Sequence, residues 1–294
     1  MKTMDNDILK KVRRVEIKTR GLSNEIFAGK YHTAFKGRGM AFSEVREYRI
    51  GDDVRDIDWN VTARTRSPHI KMYEEERELT LMLLIDVSGS GVFGTHTMYK
   101  RQLATEIAAT LAFSAASNND KVGVILFSDK VEKFIPPKKG RQHVLRIITD
   151  LIDFEPESKG TDIAAALKFF VGVQKKRCTA FVLSDFIDGG KITGEDSQIL
   201  SITSSKHDLV ALRLYDKRES EMPNVGIVEV VDSETGEKKW VDTSSAKVRK
   251  RYAGHYNAQA IKVASTLSSK KINNIAIATD DDYVMSLIKL FKMR

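Results

Sequence analysis

The chain lacks most of the devices that would tie it together covalently or fix it in a membrane. Its 294 residues include a single cysteine, Cys178, so an intramolecular disulfide is excluded and a reducing compartment is compatible. Only five prolines occur, and none of them builds a proline-rich linker; no internal repeat or low-complexity tract is visible either. The histidines His32, His69, His96, His143, His207 and His255 show no H-x-x-x-H or related spacing, which argues against zinc. Long hydrophobic runs are missing as well. The longest lies within Leu79–Val87, broken by Thr80 and Asp86, too short to span a bilayer. The N-terminus carries Asp5, Asp7, Lys10, Lys11, Arg13 and Arg14 without an apolar stretch, so no signal peptide is expected. These absences describe a soluble, cytoplasmic protein with no membrane span; peripheral association is left open.

What is present is ordinary globular composition: 41% hydrophobic and 30% charged residues, with length enough for a sizeable core. The net charge is +8, which raises nucleic acid, anionic lipid or an acidic partner as candidates. Its distribution weakens the first. Residues 1–78 carry 17 basic and 14 acidic side chains, 79–215 carry 17 and 15, and 216–294 carry 14 and 11. A dedicated nucleic-acid binder clusters its charge, and this excess is spread thinly. No nucleic-acid partner is expected. Short basic clusters such as Lys10/Lys11, Lys138/Lys139, Lys175/Lys176 and Arg249/Lys250 read as solvated faces.

The central third alternates short apolar runs with amphipathic ones. Leu79–Ile85, Val122–Phe127, Thr179–Leu183 and Leu209–Leu214 read as buried strands, with Val131–Ile135 as a short extra one. Helices are expected at Tyr99–Ser117, Arg141–Leu151, Thr161–Val173 and Asp196–Ser205. Apolar strands alternating with helices predict a mainly parallel sheet covered on both faces. Beyond Tyr215, Gly226–Val231 and Lys239–Asp242 flank a Ser233-Glu234-Thr235-Gly236 turn, a β-hairpin insertion near 224–243. A long helix near Ser244–Lys270, a sixth strand Ile272–Ala278 and a last helix Tyr283–Lys292 then resume the α/β pattern. Residues 1–78 read as a small N-terminal region with one helix, Ile8–Lys18, and otherwise polar, loop-rich stretches, ahead of the α/β domain 79–294.

The most informative string is Asp86-Val87-Ser88-Gly89-Ser90, directly after the first apolar strand. Ligands of open α/β sheets bind at that edge. A carboxylate and two hydroxyls in an extended loop supply the hard oxygens that Mg²⁺ or Mn²⁺ prefers. Gly160-Thr161-Asp162 offers another hydroxyl at a helix entrance, and Leu183-Ser184-Asp185-Phe186 a second carboxylate after a later strand. Asp86, Ser88, Ser90, Thr161 and Asp185, in this order and context, resemble the metal-ion-dependent adhesion site of von Willebrand factor A domains.

The resemblance narrows further upstream. Phe42-Ser43-Glu44-Val45-Arg46-Glu47-Tyr48, then Gly51-Asp52-Asp53-Val54-Arg55-Asp56-Ile57-Asp58-Trp59 and Ala63-Arg64, are similar to the signature of a bacterial family called domain of unknown function fifty-eight. Its members are typically encoded beside MoxR-type AAA+ ATPases, in some bacteria beside the aerotolerance proteins. One departure is Gly91, where relatives often carry methionine; it removes no ligand. The resemblance implies a von Willebrand factor A-like, six-stranded α/β fold. It also implies an ion held by Asp86 as anchor, with Ser88 and Ser90 as direct ligands, Thr161 direct or through water, and Asp185 mainly through water. An open position would take an acidic residue from a partner protein. The expected role is a non-catalytic adaptor working with a MoxR-type ATPase on a client protein.

Rival readings share the same residues. Gly89-Ser90-Gly91-Val92-Phe93-Gly94 matches the dinucleotide fingerprint. Asp86 would nevertheless face the pyrophosphate, and the helix is expected only near Tyr99. A Mg²⁺-dependent phosphohydrolase is the better enzyme alternative, yet Ser88 stands where aspartyl-phosphate chemistry wants a second carboxylate. Asp52, Asp53, Asp56 and Asp58 fail an EF-hand register, since Val61 and Ser67 occupy its glycine and glutamate positions. The plain expectation is that Arg46, Arg49, Arg55 and Arg64 pair with these aspartates around Trp59 as an apolar anchor. The functional alternative is a partner surface built from Arg46, Asp52, Asp53, Arg55, Asp56, Asp58, Trp59 and Arg64.

Overall fold

The structure is a computed structural model that describes residues 39–76, 79–92, 98–231 and 236–293. The expected helix Ile8–Lys18, most of the 233–236 turn, and Phe93 and Gly94 of the glycine-rich string lie outside the described residues. One compact unit covers residues 35–79 and a second contains 80–294.

In the smaller unit β1 (Gly39–Glu47) pairs antiparallel with β2 (His69–Glu76), with Val45 opposite Lys71 and Glu47 opposite His69. The expectation of loop-rich structure is corrected here. Ile70 and Met72 alternate with His69 and Lys71, the two-residue period of a strand, and charged neighbours obscure it in the sequence. Between the strands, α1 (Trp59–Thr65) starts at Asp58, whose carboxylate accepts from the amides of Asn60 and Val61. It stops at Arg66, a left-handed residue with φ 61°. Among the described residues of this unit, Ile70 is buried, 4% exposed.

The larger unit is built on six strands: β3 (Thr80–Asp86), β4 (Lys121–Phe127), β5 (Val131–Lys138), β6 (Thr179–Ser184), β7 (Asp208–Tyr215) and β10 (Asn273–Ala278). Their order is β10-β7-β6-β3-β4-β5, parallel throughout except for β5. The antiparallel edge strand β5 runs longer than expected and contains Pro136 and Pro137, residues a sheet tolerates at its edge. β8 (Ile227–Val231) and β9 (Lys238–Asp242) form the hairpin insertion. Its base is tied by the Thr243 hydroxyl, which donates to the Gly226 carbonyl at 2.6 Å and accepts from the Val225 amide at 3.0 Å.

The helices are α2 (Lys100–Ser117), α3 (Arg141–Asp153), α4 (Ile163–Val173), α5 (Gln198–Lys206), the single turn α6 (Lys217–Ser220), α7 (Ala246–Ser269) and α8 (Tyr283–Lys292). α4, α5 and α7 bury Leu167, Phe170, Leu200, Val263 and Leu267 against Met82, Leu84, Ala180 and Val182 of the sheet. α2 is buried nearly all round, from Leu103 to Ala115, because it lies at the centre of its layer. Gly123 is required in β4: a Cβ there would sit 2.7 Å from Met82 Sδ and 3.0 Å from the Pro137 nitrogen. No helix among the described residues is long and apolar enough to cross a membrane.

Candidate metal centre

The C-terminal ends of β3 and β6 meet because these strands are neighbours in register, Ile85 opposite Leu183. That adjacency brings Asp86 and Asp185 to one edge although they lie far apart in sequence. Asp86 Oδ1 accepts the Ser88 amide at 2.9 Å, which folds the loop back on itself. Asp86 Oδ2 accepts the Ser184 hydroxyl at 2.6 Å, and Ser184 Oγ in turn accepts the Phe186 amide at 3.0 Å. The Ser88 and Ser90 hydroxyls lie 3.1 Å apart. The Gly89 amide donates to the Lys159 carbonyl at 2.9 Å, pinning the loop before α4 to the Ser88–Gly91 turn. Thr161, two residues on, is buried at the same edge. The structure thus links Asp86, Ser88 and Ser90 by hydrogen bonds, sets Asp185 beside Asp86 in one recess, and brings Thr161 to their edge through the backbone of Lys159.

Asp86 and Ser90 line a recess with Gly91, Lys100, Ser184 and Asp185. The space open there to a water-sized sphere is ≈ 20 Å³, room for about one ion or water and not for an organic substrate. Burial of the Asp86 carboxyl, reinforced by the charge of Asp185, pushes its pKa up to about 6, against the lowering effect of the Ser184 and Ser88 hydrogen bonds. No ion pair reaches Asp86 among the described residues. An anion so crowded, with hydroxyl dipoles around it and no protein cation on it, is short of positive charge.

The donor chemistry fits Mg²⁺ or Mn²⁺. Adjacent oxygens around an octahedral Mg²⁺ with bonds of about 2.1 Å lie roughly 3 Å apart, which the two serine hydroxyls nearly match. Asp86, Ser88 and Ser90 would hold such an ion, with Thr161 and Asp185 completing its surroundings. No group of three or more His, Cys, Asp or Glu gathers among the described residues, so the set is rich in hydroxyls and poor in charge.

Three groups at this edge are absent from the sequence-based site. Ser184 buttresses Asp86. Lys100, the first residue of α2 and 3% exposed, places its ammonium 2.8 Å from Asp185 Oδ2 and 2.6 Å from Glu219 Oε1. These two carboxylates outweigh the desolvation of the ammonium and raise its pKa above the ordinary lysine value, so Lys100 stays charged and is no general base. Glu219 sits on α6, whose start is fixed by Asp216: its carboxylate accepts the Arg218 amide at 2.8 Å and the Thr279 hydroxyl at 2.7 Å. One local signal for Lys100 exists. A lysine at the first position of an apolar helix opposes the helix dipole, so a compensating anion is expected nearby. Asp-x-x-Glu at 216–219 is likewise a capping-box pattern.

The glycine-rich string does not open a helix: Gly89–Val92 is a 3-10 turn, and α2 begins at Lys100, which removes the geometry a dinucleotide needs. In the smaller unit, Arg46 grips Asp52 through two hydrogen bonds of 2.9 and 2.8 Å, as expected for one pair. Asp53 instead caps a 3-10 turn at the Arg55 amide, and Asp58 caps α1 and faces Lys71 at 3.7 Å. No ion pair links Arg55 or Arg64 to these aspartates among the described residues. Trp59 is 71% exposed, so its expected role as apolar anchor is corrected. Trp59 opens α1 directly after its cap Asp58, and the side chain buried among the described residues of this unit is Ile70. Asp56 follows in the 3-10 turn Val54–Asp56.

A doubly covered, mainly parallel sheet with one antiparallel edge strand and a D-x-S-x-S loop at the C-terminal ends of its parallel strands defines a von Willebrand factor A-like domain. The chain belongs to the family described as protein of unknown function DUF58, whose model matches residues 44–262. Uncharacterized protein Rv1480 of Mycobacterium tuberculosis is 29% identical over 286 residues, covering 96% of this chain and 88% of that protein. Uncharacterized protein MAV169 of Mycobacterium avium is 28% identical over 163 residues, 54% of this chain and 93% of the relative. Among solved structures, the chain is similar to the conserved hypothetical protein BatB from Bacteroides thetaiotaomicron, with TM-score 0.47 and 13% identity over 73% of this chain and 98% of that one. It is also similar to an aerotolerance-related membrane protein from Bacteroides fragilis, with TM-score 0.49 and 15% identity over 74% of this chain and all of the other.

Proposed function

We propose that this protein is a non-catalytic interaction module that takes an acidic residue of a partner protein on a Mg²⁺ or Mn²⁺ ion held at Asp86, Ser88 and Ser90. The observation that carries this reading is the Asp86 carboxylate, set beside two serine hydroxyls 3.1 Å apart and in no ion pair among the described residues. One anchoring carboxylate leaves a divalent ion under-neutralised, so an external carboxylate is attracted to it. Catalysis is disfavoured by the same groups. Lys100 is locked between two carboxylates, Ser184 is committed to Asp86, and the recess admits no organic substrate.

The family resemblance in the Phe42–Trp59 signature supports a cytoplasmic adaptor that works with a MoxR-type AAA+ ATPase in maturation of a client. The test is capture of the protein by the purified ATPase encoded beside its gene, with and without chelator. Capture that needs Mg²⁺ and is lost in Asp86→Ala supports the reading. Capture indifferent to both overturns it.

A further inference from the structure

We infer that the recess around Arg213 is a carboxylate-binding subsite, the second anchor for an acidic segment whose first carboxylate is offered to the ion at Asp86. The second-anchor role rests on the metal-dependent reading above; the carboxylate site itself does not. Arg213 lies near the C-terminal end of β7, in register with Ser184 on β6, one strand away from Asp185. The side chains alternate along β7: Leu214 lines the recess that holds Asp86 and Lys100, and Arg213 lines a second recess with Asp185, Phe186, Ile187, Tyr256 and Gln259. Asp185 borders both, so the turn that carries it is a crest between two neighbouring hollows.

The guanidinium is built in place. Its central carbon stands 4.8 Å from the centre of the Tyr215 ring and 5.8 Å from that of Tyr256, a stacking that fixes the plane while leaving the N–H edge for a ligand. Its Nη1 donates to the Tyr256 hydroxyl at 3.3 Å. The guanidinium has five N–H donors, and no carboxylate of the described residues forms an ion pair with it. Asp185, the acid on the crest, is already committed: Oδ2 takes the Lys100 ammonium and Oδ1 the Ile187 amide at 3.0 Å. A half-buried cation with donors to spare, beside a carboxylate that is engaged elsewhere, is complementary to an incoming anion.

The crest itself is strained. Phe186 is buried, with φ 60°, a left-handed conformation that bulky residues rarely adopt. Such strain persists where surrounding structure enforces it, and it clusters at binding sites. Here it is held by the amide of Phe186 on Ser184 Oγ, the same hydroxyl that supports Asp86. Both hollows are therefore shaped by one hydrogen-bonded turn.

The size and charge of the second hollow set the ligand class. Its space open to a water-sized sphere is ≈ 10 Å³, too little to enclose a nucleotide or cofactor, so a ligand meets the guanidinium with a small polar head at the mouth of the hollow. A single guanidinium flanked by a phenol, an amide and a carboxylate matches one negative charge better than a phosphate dianion. The partner is accordingly a segment with two acidic side chains, one on each side of the crest.

The test is a titration followed by NMR at the amides of Phe186 and Ile187 and the side-chain amide of Gln259, with glutarate and inorganic phosphate as probes and no divalent ion. The expected result is saturable binding of glutarate with Kd on the order of 1–10 mM, lost in Arg213→Gln. Absence of saturation in the wild type, persistence in Arg213→Gln, or tighter binding of phosphate than of glutarate overturns the subsite. A parallel Mg²⁺ titration read at the Ser88 and Ser90 amides separates the two claims. An ion that binds while glutarate does not leaves the metal reading standing and removes this one; glutarate binding without ion binding does the reverse. For the second-anchor role, a deca-glutamate peptide with Mg²⁺ is expected to lose roughly tenfold affinity in Arg213→Gln, the loss typical of a hydrogen bond to a charged group. Equal affinity overturns it.

Discussion

Replacing Lys100 by methionine isolates the electrostatic design of the recess. The side chain keeps its length and loses only the ammonium that joins Asp185 at 2.8 Å to Glu219 at 2.6 Å. Side-chain exposures of 4%, 2% and 15% place the three groups away from solvent screening. Removing one partner of a buried pair costs about 3–5 kcal/mol, because an uncompensated charge is left behind. The lower part of that range applies here. Asp185 keeps the Ile187 amide, and Glu219 keeps the Asp216 amide at 3.0 Å and has some access to water. A loss of about 3 kcal/mol lowers the melting temperature of a unit this large by roughly 6–12 °C. Thermal unfolding of the metal-free protein, followed by circular dichroism, reads the shift. Lys100→Met/Glu219→Gln is expected to recover part of the loss by removing one orphaned charge, and excess Mg²⁺ another part by supplying a cation to Asp185. A drop below about 2 °C for Lys100→Met, or a double variant less stable than the single one, would refute the reasoning.

Further outcomes follow from the same residues. Asp86 carries a pKa raised to about 6 by burial and by Asp185, so the ion-free folded protein binds this proton more tightly than the unfolded chain does. Its contribution to stability is present in full below pH 4 and is lost as pH rises through 6. A proton also competes with the ion, so apparent Mg²⁺ affinity is expected to fall about tenfold per pH unit below 6; calorimetry giving equal affinity at pH 5 and 7.5 would contradict this. Cys178 is buried, which pushes its thiol pKa up to about 12, so a thiol reagent at pH 8 should label it only after denaturation. Gly123→Ala forces a methyl against Met82 Sδ and the Pro137 nitrogen and is expected to destabilise by about 1–3 kcal/mol, measurable by urea unfolding. Trp240→Ser removes a side chain 72% exposed on the hairpin and should change stability by less than about 0.5 kcal/mol.

Much of the architecture is legible in the sequence because its strands are buried on both faces. Leu81–Ile85, Val122–Phe127 and Thr179–Leu183 are continuous apolar runs, and helices of the right length separate them. Asp86, Ser88 and Ser90 stand out because the motif is local, five consecutive residues at the end of an apolar strand. Asp185 follows from the same logic three strands later, after β6. Lys100 and Glu219 are harder to see, since their partnership spans 85 residues to Asp185 and 119 to each other, and one lysine among many carries no mark of burial. Arg213 sits inside the apolar string Leu209–Leu214, where a charge reads as an interruption. Only the parallel register of β6 with β7 sets it opposite Ser184. In the smaller unit, the signature Gly51–Trp59 identifies the family and its charge pairs mislead. A guanidinium near several aspartates in sequence does not say which carboxylates are already consumed as helix caps, as Asp53 and Asp58 are.

The central claim is that Asp86, Ser88 and Ser90 hold a divalent ion. Calorimetric titration of the chelator-stripped protein with Mg²⁺, and separately with Mn²⁺, addresses it directly, with Asp86→Ala alongside. The account predicts one ion per chain for the wild type and none for the variant. No binding by the wild type, or equal binding by Asp86→Ala, would contradict it.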